Sequence, residues 1–256
     1  MPKVASWNVN SLRARHEHVT NWLAKSAVDV LAVQETKVQD SAFPVADFAA
    51  MGYQCLYKGQ KSYNGVAVVS RLPQTLHATT LPGFEDPQAR VLAVEIEDFL
   101  LLDLYVPNGA SVGSDKYAYK LAWLDALVEW VARLLEAGRH LLVVGDFNIA
   151  PADADVHDPE AWRGKVLCSD AERERLQRLF ALGLVDTFRR FEQPERAFSW
   201  WDYRAAGFRR NHGLRIDLIL ASAGLAGRVQ SCAIDIEPRR WEKPSDHAPV
   251  LATLSG

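Results

Sequence analysis

HLLVVGDFNIAP, residues 140–151, is the stretch whose reading decides the fold. The continuous apolar run Leu141–Val144 has the composition of a strand covered on both faces. It stops at Gly145 and Asp146, and a second polar residue, Asn148, follows two positions later. In an extended segment Asp146 and Asn148 point to the same side. One can handle a proton or a metal-bound water, and the other can donate its amide hydrogens to a phosphate oxygen. Gly145 is expected to allow a tight exit from the strand. The plain alternative is an Asx-type turn, which accounts for Asp146 but not for its companions elsewhere. VDVLAVQE (28–35) has the same form, an apolar strand ending in a carboxylate. That hints at two pseudo-equivalent halves.

Outward from these two segments, apolar β-type runs recur at Lys3–Val9, Asp29–Gln34, Tyr53–Tyr57, Gly65–Ser70, Val91–Ile96, Phe99–Tyr105, His140–Gly145, Phe198–Trp201, Ile216–Ala221, Val229–Ile236 and Val250–Leu254. Helical patterns lie between them. Leu12–Lys25 places Leu12, Val19, Trp22 and Leu23 on roughly one face. Lys116–Ala137 repeats apolar residues at three- and four-residue spacing and is followed by Gly138, a helix stop. Asp170–Leu182 has Ser169 or Asp170 as its N-cap. Many strands and few long helices argue for packed sheets flanked by helices. No linker rich in Pro, Gly or Ser interrupts the chain, so one domain over residues 1–256 is expected.

Hydrophobic residues make up 48% and charged residues 24% of the chain, as in ordinary soluble globular proteins. Cys55, Cys168 and Cys232 are scattered and odd in number, which fits free thiols in a reducing compartment. The N-terminus has no basic region followed by an apolar one, so no secretory signal is expected. No apolar run approaches about 18 residues, so no membrane span is expected either. A cytoplasmic location follows. The net charge of −3 argues against a nucleic-acid partner. However, Arg189, Arg190, Arg196, Arg204, Arg209, Arg210 and Arg215 face only Glu192, Glu195 and Asp202 in one segment. A carboxylate-lined metal site would make the whole chain acidic without removing a basic rim. A solvated loop is the alternative.

Further motifs place polar residues at the mouths of apolar runs. Glu35 in VQETK (33–37) suits a hard divalent cation, which takes carboxylates, water and phosphate oxygens; an ion pair with Lys37 is the alternative. Asn8 and Asn10 in SWNVN (6–10) share one face, and neutral amides can hold phosphate without adding negative charge. LYVPNG (104–109) supplies Tyr105 and Asn108, either as donors to a leaving oxygen or as a turn beside a core tyrosine. PSDHAPV (244–250) presents Asp246 and His247 from a loop, and Asp217 in LRIDLIL (214–220) is the candidate to orient the histidine ring. Phe198, Trp200, Trp201, Tyr203 and Phe208 alternate with arginines, as suits a nucleotide or a gap in a duplex. Trp200 and Trp201 point oppositely if extended, so at most one faces a site.

Together with YNGVAVVSR (63–71), DVHDPEAW (155–162), ERLQR (174–178) and FSWWDYR (198–204), these motifs resemble the exonuclease III family of the endonuclease/exonuclease/phosphatase superfamily from about Lys3 to Leu254. The resemblance implies an α/β fold of the deoxyribonuclease I-like kind, a four-layer α/β sandwich with two central mixed β-sheets flanked by helices. It implies a Mg2+- or Mn2+-dependent hydrolase acting on double-stranded DNA with nicks, 3′ ends or abasic sites, monomeric and with no membrane partner. Carried over residue by residue, Glu35 is the main metal ligand, with Asn8, Asp146, Asn148 and Asp246 around the cation. Asp146 or the His247–Asp217 pair activates water, Asn148 and His247 hold the phosphate, and Tyr105 assists the leaving oxygen. Asn10, Asn108, Trp200, Arg204 and Asn211 are implied substrate contacts. One departure is Leu214, where some relatives carry tryptophan. That change and the variable positions Leu167, Arg209 and Arg210 leave open the balance between abasic-site incision and 3′-end trimming. A relative acting on another phosphoester and a non-catalytic nucleic-acid binder are the competing readings.

Overall fold

A computed structural model describes residues 1–255. One six-stranded sheet holds β1 (Lys3–Asn8), β2 (Val30–Gln34), β3 (Gln54–Lys58), β4 (Val66–Ser70), β13 (Val229–Ile234) and β14 (Val250–Leu254), in the order β13-β14-β1-β2-β4-β3. The other holds β5 (Gln74–Ala78), β6 (Val91–Ile96), β7 (Phe99–Tyr105), β8 (Leu141–Asp146), β9 (Leu184–Asp186) and β12 (Asp217–Ser222), in the order β5-β6-β7-β8-β12-β9. A short ribbon of β10 (Trp200–Trp201) and β11 (Gly213–Leu214) stands apart.

Each sheet contains a parallel pair joined by a helix, the connection that parallel strands require. In the first sheet α1 (Leu12–Ser26) links β1 to β2; in the second α3 (Asp115–Glu136) links β7 to β8. The neighbouring pairings within the sheets are antiparallel. β2 and β8 therefore occupy equivalent places in the two halves, as their shared sequence form hinted, and Glu35 and Asp146 stand at equivalent strand ends.

Side-chain alternation builds four layers. Val4, Val30, Leu142 and Val144 face the core between the sheets. Ala5, Trp7 and Leu31 face an outer core completed by Val19, Trp22 and Leu23 of α1 and by Phe48 of α2 (Val45–Ala50). Leu141 and Val143 face the opposite outer core, with Leu124, Leu127 and Val131 of α3 and with Leu176 and Leu179 of α5 (Asp170–Ala181), which follows the single turn α4 (Pro159–Trp162). Strands covered on both faces read as continuous apolar runs, and for that reason the sequence marked them clearly. The three short strands it did not mark lack such runs. β5 is a mostly exposed edge strand, β9 has three residues and β11 two. Ser169 proves to be the N-cap of α5, in a capping box with Glu172.

Four expectations are corrected. Gly145 lies inside β8 rather than at a tight exit from it. Its φ is +139°, and a Cβ there would stand 1.9 Å from the carbonyl oxygen of Leu104. The glycine permits a close approach of β7 to β8, which sets Tyr105 opposite Asp146 in the register. Phe198–Trp201 forms only the short β10, because its backbone bonds to Leu214 on one side and to Asp246 and Ala248 on the other. The arginine-rich segment is not uniformly a rim: Arg215 is buried, with Nε 2.6 Å from Asp155 and a terminal nitrogen 2.6 Å from Asp186. Arg189 also pairs with Asp155. The aromatics divide as well, since Phe198 and Trp201 are buried against Ala248 and Trp200 is half-buried.

Two substitutions separate these roles. Arg215→Met leaves the buried Asp155 with only the half-exposed Arg189 and leaves Asp186 without a cation, and is expected to cost about 3–5 kcal/mol in urea unfolding. Arg204→Ala, in an exposed pair with Asp202, is expected to leave the midpoint unchanged. Equal small effects would contradict the buried assignment of Arg215.

Candidate active site

The C-terminal ends of both parallel pairs open at one edge of the sandwich. β1 delivers Asn8, β2 runs into Glu35, β7 ends at Tyr105 and β8 at Asp146. Asp217 opens β12 directly across from Asp146. His247 arrives from the segment before β14 and bridges to Trp200.

Asn8 ties the first carboxylates together. Its Nδ2 donates to Glu35 Oε1 and to Asp146 Oδ2, both at 2.9 Å. Its Oδ1 accepts from the backbone of Asn10 at 2.9 Å. The amide thus presents nitrogen, not oxygen, toward the carboxylates, so Asn8 orients candidate ligands and does not itself offer one. The second oxygen of Glu35 lies 2.9 Å from Lys37 Nζ, the ion pair expected as the alternative to a metal. Lys37 also donates to Asn10 Oδ1 at 2.5 Å. Asp246 accepts from Asn10 Nδ2 at 2.9 Å and from Trp200 Nε1 at 3.0 Å. With Asp246 tied to the rim, the atoms that lie within 4.8 Å of one another and could meet a cation belong to Glu35, Asp146 and His247.

The histidine does not suit that role in its favoured state. His247 Nδ1 lies 2.9 Å from Asp217 Oδ2, and its Nε2 lies 3.8 Å from Asp146 Oδ2. Burial works against a charged ring, but the charges of Asp217 and then Asp146 outweigh it and raise the pKa to about 10. A protonated imidazole donates from both nitrogens and ligates nothing. The carboxylates of Glu35 and Asp146 are hard oxygen donors, the kind that could meet a magnesium-like ion. Asp146 is pushed up to about 7, first by burial and then by Asp217 and Glu35, with His247 and Asn8 opposing. Tyr105 is raised well above the usual phenol range by burial, Glu35 and Asp146, so its hydroxyl keeps its proton. The guanidinium of Arg90 stacks 4.8 Å from the centre of its ring.

Asn148 meets Asp146, but through a turn rather than an extended segment. Its φ is +50°, its backbone N–H donates to Asp146 Oδ1 at 2.9 Å, and its Nδ2 lies 3.3 Å from Asp146 Oδ2. That Nδ2 also donates to Val106 O at 2.9 Å, and Asn148 Oδ1 accepts from Asn108 Nδ2 at 3.2 Å. Two expected substrate contacts share no hydrogen bond with this cluster. Arg204 is exposed and paired with Asp202. Asn211 accepts from Trp201 Nε1 at 3.0 Å and donates to Arg196 O at 3.1 Å, clasping the loop behind β10. Trp201 is turned inward, so its polar partner is turned inward too.

Two serines were missed. Ser199 Oγ donates to Asp217 Oδ2 at 2.7 Å and accepts from the backbone of Ile216 and Asp217. Ser245 Oγ donates to Asn8 O at 2.7 Å and accepts from His247 N. Both stand within quoted motifs, PSDHAPV and FSWWDYR, but there the more conspicuous aromatic and charged neighbours drew the reading.

In metal-free protein, the ring of His247 is expected to hold its proton well above pH 8 by NMR. It gains that proton's binding on folding, since an unfolded histidine titrates near about 6.5. The gain is therefore complete below that pH and is lost as pH rises toward about 10. Asp217→Asn removes the largest raising charge, so the ring's pKa is expected to fall by at least about one unit. A wild-type ring that titrates near the ordinary value would overturn the imidazolium assignment.

The chain matches the profile described as the Endonuclease/Exonuclease/phosphatase family over residues 5–247. Exodeoxyribonuclease III of Haemophilus influenzae is 36% identical over 263 residues, covering 98% of each chain. A structure of a 3′ phosphatase from Neisseria bound to product DNA hairpin superposes with a TM-score of 0.97 at 43% identity, covering 100% of both chains. An AP endonuclease from Archaeoglobus fulgidus does so with a TM-score of 0.95 at 36% identity, again over 100% of both. Matched along nearly its whole length in both sequence and fold, this chain belongs to the Endonuclease/Exonuclease/phosphatase family.

Proposed function

We propose that this protein is an exodeoxyribonuclease III-type enzyme that hydrolyses phosphodiesters of duplex DNA. Its activities would be 3′-to-5′ trimming, removal of 3′-phosphates and incision beside abasic sites. The observation that carries this reading is the pair of carboxylates, Glu35 and Asp146, joined by one amide of Asn8 and set beside the His247–Asp217 pair. Glu35 and Asp146 would hold Mg2+ or Mn2+, which supplies Lewis-acid stabilisation of a phosphoryl oxygen.

The remaining roles follow from charge. His247, kept cationic by Asp217, donates from Nε2 to a phosphoryl oxygen as negative charge builds there. A group already protonated cannot take a proton from water. Asp146 is the better general base of the two candidates, since a carboxylate can take a proton from water with the oxygen that does not meet the cation. The protonated phenol of Tyr105 donates to the leaving oxygen, and Asn108 and Asn148 line the same side. Asn10 and Lys37 fix the rim around Asp246 and Glu35. Trp200 packs with Leu214, Trp162 and Val156 in an apolar wall, where a sugar or base would lie. With Leu214 in the place that some relatives give to tryptophan, and with higher identity to the 3′ phosphatase than to the AP endonuclease, 3′-end processing is the leading activity. One 256-residue domain carries all of these groups, so a monomer suffices. Three free thiols suit the cytoplasm. Among the described residues no helix is long and apolar enough to cross a membrane.

Labelled duplexes bearing a recessed 3′ end, a 3′-phosphate at a nick or an internal abasic site are expected to be cut in Mg2+ and spared in EDTA. Glu35→Gln should lower turnover by at least about 10²-fold with no loss of thermal stability. Turnover of small phosphoesters alone, or DNA cleavage indifferent to EDTA, would refute the assignment.

A further inference from the structure

Behind the candidate site, α3 and α5 share a fully buried ion pair, Lys120–Glu172. Burying two charges is costly unless both are saturated with hydrogen bonds, and here both are. The ammonium has three hydrogens and three acceptors: Glu172 Oε1, Asn148 O at 2.7 Å and Asn108 O at 3.1 Å. Glu172 Oε1 also accepts from Leu167 N at 3.0 Å, and its Oε2 accepts from Ser169 N at 3.1 Å and Ser169 Oγ at 2.5 Å. The two carbonyls that Lys120 grips belong to the residues whose side-chain amides meet each other, Asn108 Nδ2 to Asn148 Oδ1 at 3.2 Å. Gly109, at φ +94°, favours the grip, since a Cβ there would crowd Lys120 Cδ at 3.1 Å.

We propose that Lys120 and Glu172 are positioning residues that set the spacing and orientation of the Asn108 and Asn148 amides for the phosphodiester. The pair touches no substrate. It locks the loop after β7, the turn after β8 and the segment leading into α5 to one buried point. A pair that served only stability could have bonded to any carbonyl of the two helices. This one spends two of its three ammonium hydrogens on the backbone of the amide-bearing loops. The inference rests on the nuclease reading for its kinetic consequence, but its geometric content stands without it.

Lys120→Met alone would leave Glu172 charged and buried, at a large cost to folding. The informative variant is the double Lys120→Met, Glu172→Met, which removes both charges, with Lys120→Met, Glu172→Gln as a companion that also removes both charges but keeps a polar group beside Leu167 N and Ser169. Two readouts are needed. On a 3′-phosphate duplex in Mg2+, the double variant is expected to lose at least about tenfold in kcat while KM changes less than about threefold. In 15N spectra of metal-free protein, the side-chain amide signals of Asn108 and Asn148, assigned with Asn108→Ala and Asn148→Ala, are expected to shift, while those of Asn8 and Asn10 stay in place. A folded double variant with wild-type kcat and unmoved Asn108 and Asn148 signals would overturn the proposal. If that variant does not fold, Lys120→Met, Glu172→Gln decides by the same two readouts. If wild-type protein turns over no DNA, the nuclease reading has failed and the spectra alone decide the positioning claim.

Discussion

Repulsion among buried carboxylates is the constraint on which this structure turns. Glu35, Asp146 and Asp217 are brought together at one edge of the sandwich, and Asp146 and Asp217 are almost wholly out of water. Like charges at such range in a poorly solvated place cannot all stay ionised without compensation. The chain supplies part of it: Asp217 holds a protonated His247, Asn8 donates to two of the carboxylates at once, and Lys37 covers the outer oxygen of Glu35. What remains is a local excess of negative charge focused between Glu35 and Asp146. A divalent cation is the natural complement, and a phosphate next to it completes the neutralisation.

The fold makes that concentration possible by using the same device twice. A β-α-β unit in each sheet sends two parallel strands to one edge, and the second strand of each ends at a carboxylate. Because the sheets pack face to face, the two ends converge. The convergence depends on details with no polar chemistry of their own. Gly145 lets β7 and β8 approach, and Ser199 fixes the carboxylate of Asp217 so that it can in turn fix the histidine. The apolar interior is therefore part of the site's design, since it holds charges where solvent would let them separate.

Much of this was legible in the sequence. Strands covered on both faces are long apolar runs, and a carboxylate at the end of such a run is conspicuous, so Glu35, Asp146 and Asp217 stood out. The partnership of His247 with Asp217 followed from the need of each for the other. What was not legible concerns direction and pairing. Nothing in SWNVN says that the amide of Asn8 turns its nitrogen toward the carboxylates. Counting charge put Arg215 on a basic rim, whereas Asp155 and Asp186, distant in sequence, draw it into the core. The alternation of Trp200 and Trp201 was read correctly, but its corollary, that the inward Trp201 would take Asn211 with it, requires knowing which loop lies behind the strand. Nothing in the helical pattern of residues 116–137 marks Lys120, whose three acceptors lie on elements distant in sequence.

The most direct test of the account is anomalous diffraction from crystals grown in Mn2+. The expected result is a peak at bonding distance, roughly 2.1 Å, from carboxylate oxygens of both Glu35 and Asp146, with Lys37 displaced from Glu35 and His247 still paired to Asp217. A manganese ion bound directly to His247 Nε2, or none between Glu35 and Asp146 at saturating concentration, would contradict it.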